Sequence, residues 1–233
     1  MRAWINGIGW ATPAGFGQGR EFQSQPLRPG VLQIPTRKEV FAQSDRRFGR
    51  LDDFSRIGLA AATFCLRDGR AEDWQEKRSW GIIAASRYGC LQTDLAYLQT
   101  MMPEHGRLAS PNLFAYTLPN SFLGEVALRF GLTGNSMIIN RRDPSYLEPL
   151  KSGLEELAWS EQRGVLAGIV DLAPPSTLAA NDDLPGGLFL LLESAPRADV
   201  CSYGVLELQG RAMTLNAEAI DDLPQLVAAC LKL

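Results

Sequence analysis

The sequence predicts an α/β fold, and two observations carry the prediction. Between Gly131 and Asp171 a short apolar run (Ser136 to Asn140), a sharp turn at Asp143-Pro144, a helical pattern and a second apolar run (Val165 to Val170) follow one another. With about two dozen residues between them, the two runs read as parallel neighbours joined by a right-handed crossover. Two earlier apolar segments, Ala3 to Gly9 and Ser79 to Ser86, read as further buried strands with helical patterns after them. Ligands of such folds collect outside the carboxyl ends of the parallel strands, and that places Asp143 at the business end.

Composition sets the outer bounds. At 233 residues, 45% hydrophobic and 21% charged, the chain has ample length for one large globular domain, residues 1–233. A formal net charge of −3 leaves no basic footprint, so nucleic acid is not an expected partner. Cys65, Cys90, Cys201 and Cys230 are widely spaced, form no CxxC pair and lie in apolar segments. They read as reduced core residues of a cytoplasmic protein, with neither a disulfide frame nor a metal site. The opening MRAWINGIGW lacks the longer apolar core of a signal peptide, and no window is apolar enough for a membrane span.

In chain order, the first strand opens into Gly-Ile-Gly and the turn Thr12-Pro13-Ala14-Gly15, where glycine permits close backbone approach. The full dinucleotide fingerprint spacing is absent, so no cofactor is expected. Gln18 to Ser44, rich in Pro, Gln and Gly, reads as an irregular excursion. Arg46 to Gly69 then places Leu51, Phe54, Ile57, Leu59, Ala61, Phe64 and Cys65 at helical spacing, with Gly69 as the stop and its charges on a solvated face. A helix from Leu91 to Met101 follows the Ser79 strand. The single histidine, His105, falls in a loop after Pro103.

Within Ala109 to Gly134, the residues Pro111, Phe114, Thr117, Pro119-Asn120, Gly124, Val126-Ala127, Arg129, Gly131-Leu132 and Gly134 resemble the "SP..F..T.PN...G..A...GL.G" block of beta-ketoacyl synthases. Asn6-Gly7-Ile8-Gly9 with Thr12-Pro13-Ala14-Gly15 resembles the family's opening "TG.G..TP.G". The Arg50 to Asp68 helix, the Val165 to Asp171 strand and Gly186-Gly187-Leu188 to Leu192-Glu193 agree with later blocks in the same order. The resemblance implies a thiolase-like fold. In that family two similar α/β halves pack around buried helices, and dimers form by pairing strands of the amino-terminal halves. This chain would hold the amino-terminal half (about 1–195) and a short carboxyl-terminal remnant (about 196–233).

Two departures follow from the same register. The family's "TAC" lands on Arg141-Arg142-Asp143, so the nucleophilic cysteine would be Asp143, whose acyl adduct is a mixed anhydride unsuited to storing a growing chain. The two histidines of the family's second half have no counterpart, because no histidine follows His105. The resemblance therefore implies no catalytic residue. Asp143 also has a purely structural reading, as N-cap of the following helix with Pro144 in its first turn and Leu147, Leu150, Leu154 and Leu157 on one face. Pro149 would then kink that helix or mark a later start. Arg141 and Arg142, at the end of a buried strand, need acidic partners and would block the substrate's pocket.

The implied function is that of a chain-length-factor-like subunit. It would pair with a cysteine-bearing ketosynthase in polyketide, aryl polyene or fatty-acid-type elongation and shape the acyl tunnel, meeting acyl carrier protein indirectly. Tunnel-wall or interface candidates are Phe114, Tyr116, Thr117, Asn120, Phe122, Met137, Ile139, Arg141 and Arg142, each also readable as ordinary packing. Two other classes remain open: a decarboxylase-like, starter-generating subunit, and a stand-alone homodimer that binds an acyl chain or carrier protein.

Overall fold

The computed structural model describes residues 1–21, 25–175, 177–178 and 183–232. The chain runs β1 (Arg2–Thr12), β2 (Gly15–Gln18), α1 (Arg37–Val40), α2 (Asp53–Asp68), β3 (Trp80–Ser86), α3 (Leu91–Met101), α4 (Pro111–Phe114), α5 (Ser121–Phe130), β4 (Ser136–Asn140), α6 (Glu148–Trp159), β5 (Gly164–Asp171), β6 (Gly186–Glu193), β7 (Gly204–Gln209), β8 (Ala212–Leu215), β9 (Glu218–Ile220) and α7 (Leu223–Leu231). One nine-stranded sheet has the order β4-β3-β5-β6-β1-β7-β8-β9, with β2 paired to β1. β3 is parallel to β4 and to β5, whereas β6 runs antiparallel to both β5 and β1.

The strands flanking the Asp143 turn are thus parallel but not neighbours, because β3 lies between them. Side chains decide the order. β3 (WGIIAAS) is buried along its whole length and takes an interior slot, while β4 exposes Ser136, Met137 and Asn140 and takes the edge. The expectation of a buried strand before Arg141 is corrected accordingly.

One sheet face packs α2 and α5, the other α6 and α7. Helix α2 starts on Asp52, whose carboxylate accepts from the Ser55 N–H, and stops at Gly69 as expected. It presses so closely on β1 that a Cβ on Gly9 would lie 2.0 Å from Cys65 N. Gly9→Ala is therefore expected to lose about 3 kcal/mol or more, since backbone rather than a flexible side chain must move. A urea melt or soluble yield checks this.

Two further expectations change. The carboxyl-terminal segment reads in sequence as one strand (Tyr203 to Leu208) and a helix from Ala217 to Lys232, but it forms the β7-β8-β9 meander, and its helix starts only at Leu223, where Asp222 accepts from the Gln225 N–H and Pro224 occupies the first turn. Asn216 and Ala217, at φ 51 and 71, make the β8–β9 turn. Cys65, Cys90 and Cys230 are buried, but Cys201 is exposed, so only three of the four belong to the core. Among its described residues the excursion before α2 holds the short helix α1 and the 3-10 turns Gly19–Glu21 and Phe48–Arg50 and is otherwise irregular, with residues 22–24 outside the described ones. Among the described residues, no helix is long and apolar enough to cross a membrane.

Candidate functional site

The carboxyl ends of β3 and β5 converge on one buried carboxylate. β5 ends at Asp171, which is 7% exposed. Ser86 Oγ donates to its Oδ1 at 2.7 Å, the Tyr88 N–H at 3.0 Å, and the Arg87 N–H reaches both oxygens at 3.0 Å. Ser86 Oγ in turn accepts from the Gly89 N–H at 2.7 Å, with Gly89 at φ 55 closing the turn. Burial pushes the Asp171 carboxyl above its usual range, and the Tyr88 and Arg87 N–H groups pull it partway back. The folded chain therefore holds this proton more tightly than the unfolded one. That contribution to stability is present at low pH and is lost as pH rises through the folded pKa.

Arg141 closes the cluster. Its N–H donates to Ser86 O at 2.8 Å, which carries the β3–β4 ladder one residue beyond the end of β4. There the guanidinium lies 4.0 Å from the Tyr146 ring centroid and 3.7 Å from Asp183, with the side chain only 2% exposed. Arg87 meets Asp183 at 3.3 Å, and Tyr88 Oη donates to the same carboxylate at 3.0 Å. The Leu184 N–H donates to Tyr146 Oη at 3.2 Å, stapling the chain across the top. Tyr146 sits at φ 60, a backbone conformation that costs free energy for a bulky residue and persists only where packing imposes it. Two cations and two carboxylates thus gather at the carboxyl ends of β3 and β5.

Asp143 stands beside this cluster but caps no helix. Its carboxylate accepts from the Ser145 N–H at 2.9 Å, and α6 begins at Glu148 with Pro149 in its first turn, the later start that Pro149 allowed. The Ser145 N–H chiefly, and Lys151 at 3.7 Å, hold Asp143 below the usual carboxylate range. Cys90, just beyond the β3 turn, offers no substitute nucleophile. Burial first, and Asp94 next, push its thiol up to about 12. His105 is exposed in a short 3-10 turn.

The other sequence candidates divide between core and surface. Phe122 is wholly buried, with ring centroids 5.5 Å from Phe54 and 6.4 Å from Phe189, so it faces no tunnel or surface. Phe114 and Met137 are exposed, Asn120 and Arg142 likewise, and Tyr116, Thr117 and Ile139 are half-buried. Arg141, unlike Arg142, is inside. The alternation that sends the Arg141 N–H to β3 leaves the N–H groups of Ser136, Ile138 and Asn140 directed away from the sheet. β4 is thus an open edge. The segment from α3 through α4 exposes Leu95, Leu98, Met102, Leu108, Phe114 and Leu118.

Asp171, Ser86, Asp183 and Tyr146 were missed by sequence reasoning. The available signal was an acid closing a wholly apolar run, since a carboxylate at such a strand end must find buried donors. A separate groove of about 850 Å³ opens between residues 38–51 and α5. Six of the charged residues that line it pair with one another, Arg67 with Glu72, Arg47 with Glu125 and Arg129 with Asp45.

A family model described as "Beta-ketoacyl synthase, N-terminal domain" matches residues 32–182. No curated protein matches the sequence. Among solved structures, the chain is similar to one from AntDE:AntF (apo), a type II PKS acyl-carrier protein in complex with its ketosynthase bound to the hexaketide. Identity there is 16% over 89% of this chain and 67% of that one, at a TM-score of 0.70. The ishigamide ketosynthase/chain length factor gives 15% identity over 88% and 62%, at 0.66. Ketosynthase (ApeO) in complex with its chain length factor (ApeC), from Xenorhabdus doucetiae, gives 18% over 84% and 80%, at 0.60. Against the first two, the chain spans 67% and 62% of their length.

Proposed function

Because the chain belongs to the beta-ketoacyl synthase family and has its thiolase-like fold, we propose that it serves as a non-catalytic, chain-length-factor-like subunit beside a cysteine-bearing ketosynthase. The observation that carries this reading is the filled strand-end site. At the family's nucleophile position stands Asp143, tied down by Ser145 and Lys151, and the adjoining space is taken by Arg141 between Tyr146 and Asp183. A carboxylate there cannot carry the thioester, and a buried guanidinium two residues away excludes an acyl chain from the same volume.

The role left to such a subunit is architectural. β4 offers free backbone donors and acceptors to an edge strand of the ketosynthase, and the α3–α4 arm lays its apolar face against that partner. Phe114, Tyr116, Thr117, Asn120, Met137, Ile139 and Arg142 are the residues from which tunnel depth would be set. Arg46 and Arg50, exposed near the start of α2, give an acidic carrier protein a place to approach. The setting is cytoplasmic elongation of a polyketide, aryl polyene or related chain.

Affinity purification of the tagged chain from its own host, with mass spectrometry at fixed stoichiometry, tests this. The expected result is a cysteine-bearing ketosynthase at one-to-one. Recovery of the chain alone as a homodimer overturns the reading. In the assembled complex, Asp143→Asn is expected to change product formation by less than about twofold and stability by under ~1 kcal/mol, since an amide oxygen still accepts from Ser145. A complete loss of product with the complex intact would assign the carboxylate a chemical role.

A further inference from the structure

The side of β4 that faces α6 carries a groove of about 380 Å³, lined by Met137 from the strand and by Ser152, Glu155, Glu156 and Trp159 of the helix. Trp159 is 77% exposed and Met137 43%, so an indole and a thioether stand open beside an open strand edge. The groove is acidic: among the described residues that line it are two glutamates and no lysine or arginine. Lys151, one turn earlier on α6, is engaged by Asp143, while Glu156 accepts from Asn135 and Gln162, and among the described residues Glu155 has no cation paired with it.

We propose that this groove receives a lysine or arginine from the strand that pairs with β4, its charge on Glu155 and its stem or guanidinium across the Trp159 ring. The proposal rests on the reading of β4 as the partner edge and names what that partner must carry. An indole face with a carboxylate beside it is the surface on which a long cationic side chain gains most, because ring quadrupole and charge act on one group. A second copy of the chain fits badly. Antiparallel pairing of β4 with itself requires a two-fold axis normal to the sheet, which puts both α6 helices on the same side and turns each acidic flank toward its own duplicate. Charge complementarity therefore favours a different protein with a basic edge strand.

The test titrates the intact chain with two eight-residue peptides, one alternating valine with arginine and one alternating valine with glutamate. Amide resonances of residues 136–140 and the Trp159 indole N–H report binding. The arginine peptide is expected to bind about tenfold more tightly at low salt, with Trp159→Ala weakening it about fivefold. Glu155→Lys, at a half-buried position on α6, should erase or invert the preference. Equal binding of both peptides at β4 overturns the proposal and leaves the edge-pairing reading standing. No shift at β4 with either peptide overturns both.

Discussion

Arg141→Ala should lower the unfolding free energy by about 3–5 kcal/mol, the cost of removing one partner from a buried ion pair. The loss arises because Asp183 and Asp171 stay behind in a space that the guanidinium had compensated. A second variant separates charge from packing. In Arg141→Met combined with Asp183→Asn the buried pair is removed as a unit, which leaves Asp171 on its Ser86, Arg87 and Tyr88 donors and the partly exposed Arg87 to water, so about half of the loss should be recovered. Urea unfolding at neutral pH measures both. If Arg141→Ala falls within experimental error of the parent, the arginine is not holding the strand ends closed.

Assembly with a ketosynthase should be lost in Ile138→Pro, by on the order of a hundredfold in affinity or more, while the chain itself stays folded. Ile138 directs its N–H outward from β4, so proline there removes no hydrogen bond to β3 and an edge position tolerates it. The partner strand, by contrast, meets a pyrrolidine ring in place of a donor. Met137→Pro supplies the contrast, since its N–H faces β3 and its loss should destabilise the fold itself. Far-ultraviolet circular dichroism and sedimentation of the mixed subunits distinguish the two results. Undiminished complex formation by a folded Ile138→Pro chain would move the interface away from this edge.

Several elements were legible because their cause is local. The apolar runs of β3 and β5, the Gly69 stop of α2 and the Leu150, Leu154 and Leu157 face of α6 follow from periodicity and capping alone. The Gly9 contact with α2 was legible as a need for close approach, though not what approached. The start of α6 was ambiguous because Asp143-Pro144 and Glu148-Pro149 both suit a helix beginning, and only the turn made by Ser145 and Tyr146 decides between them.

By itself, the sequence determined the α/β class and the family, since each is a matter of residue type and spacing. Tertiary structure alone decided that β3 separates β4 from β5, that Phe122 belongs to the core and that Arg141 turns inward while Arg142 faces out. The physical reason is that strand order and side-chain direction are set by partners far along the chain. Asp171 and Asp183 lie 30 or more residues beyond Arg141, and nothing local to β4 announces that a buried countercharge will arrive to meet it.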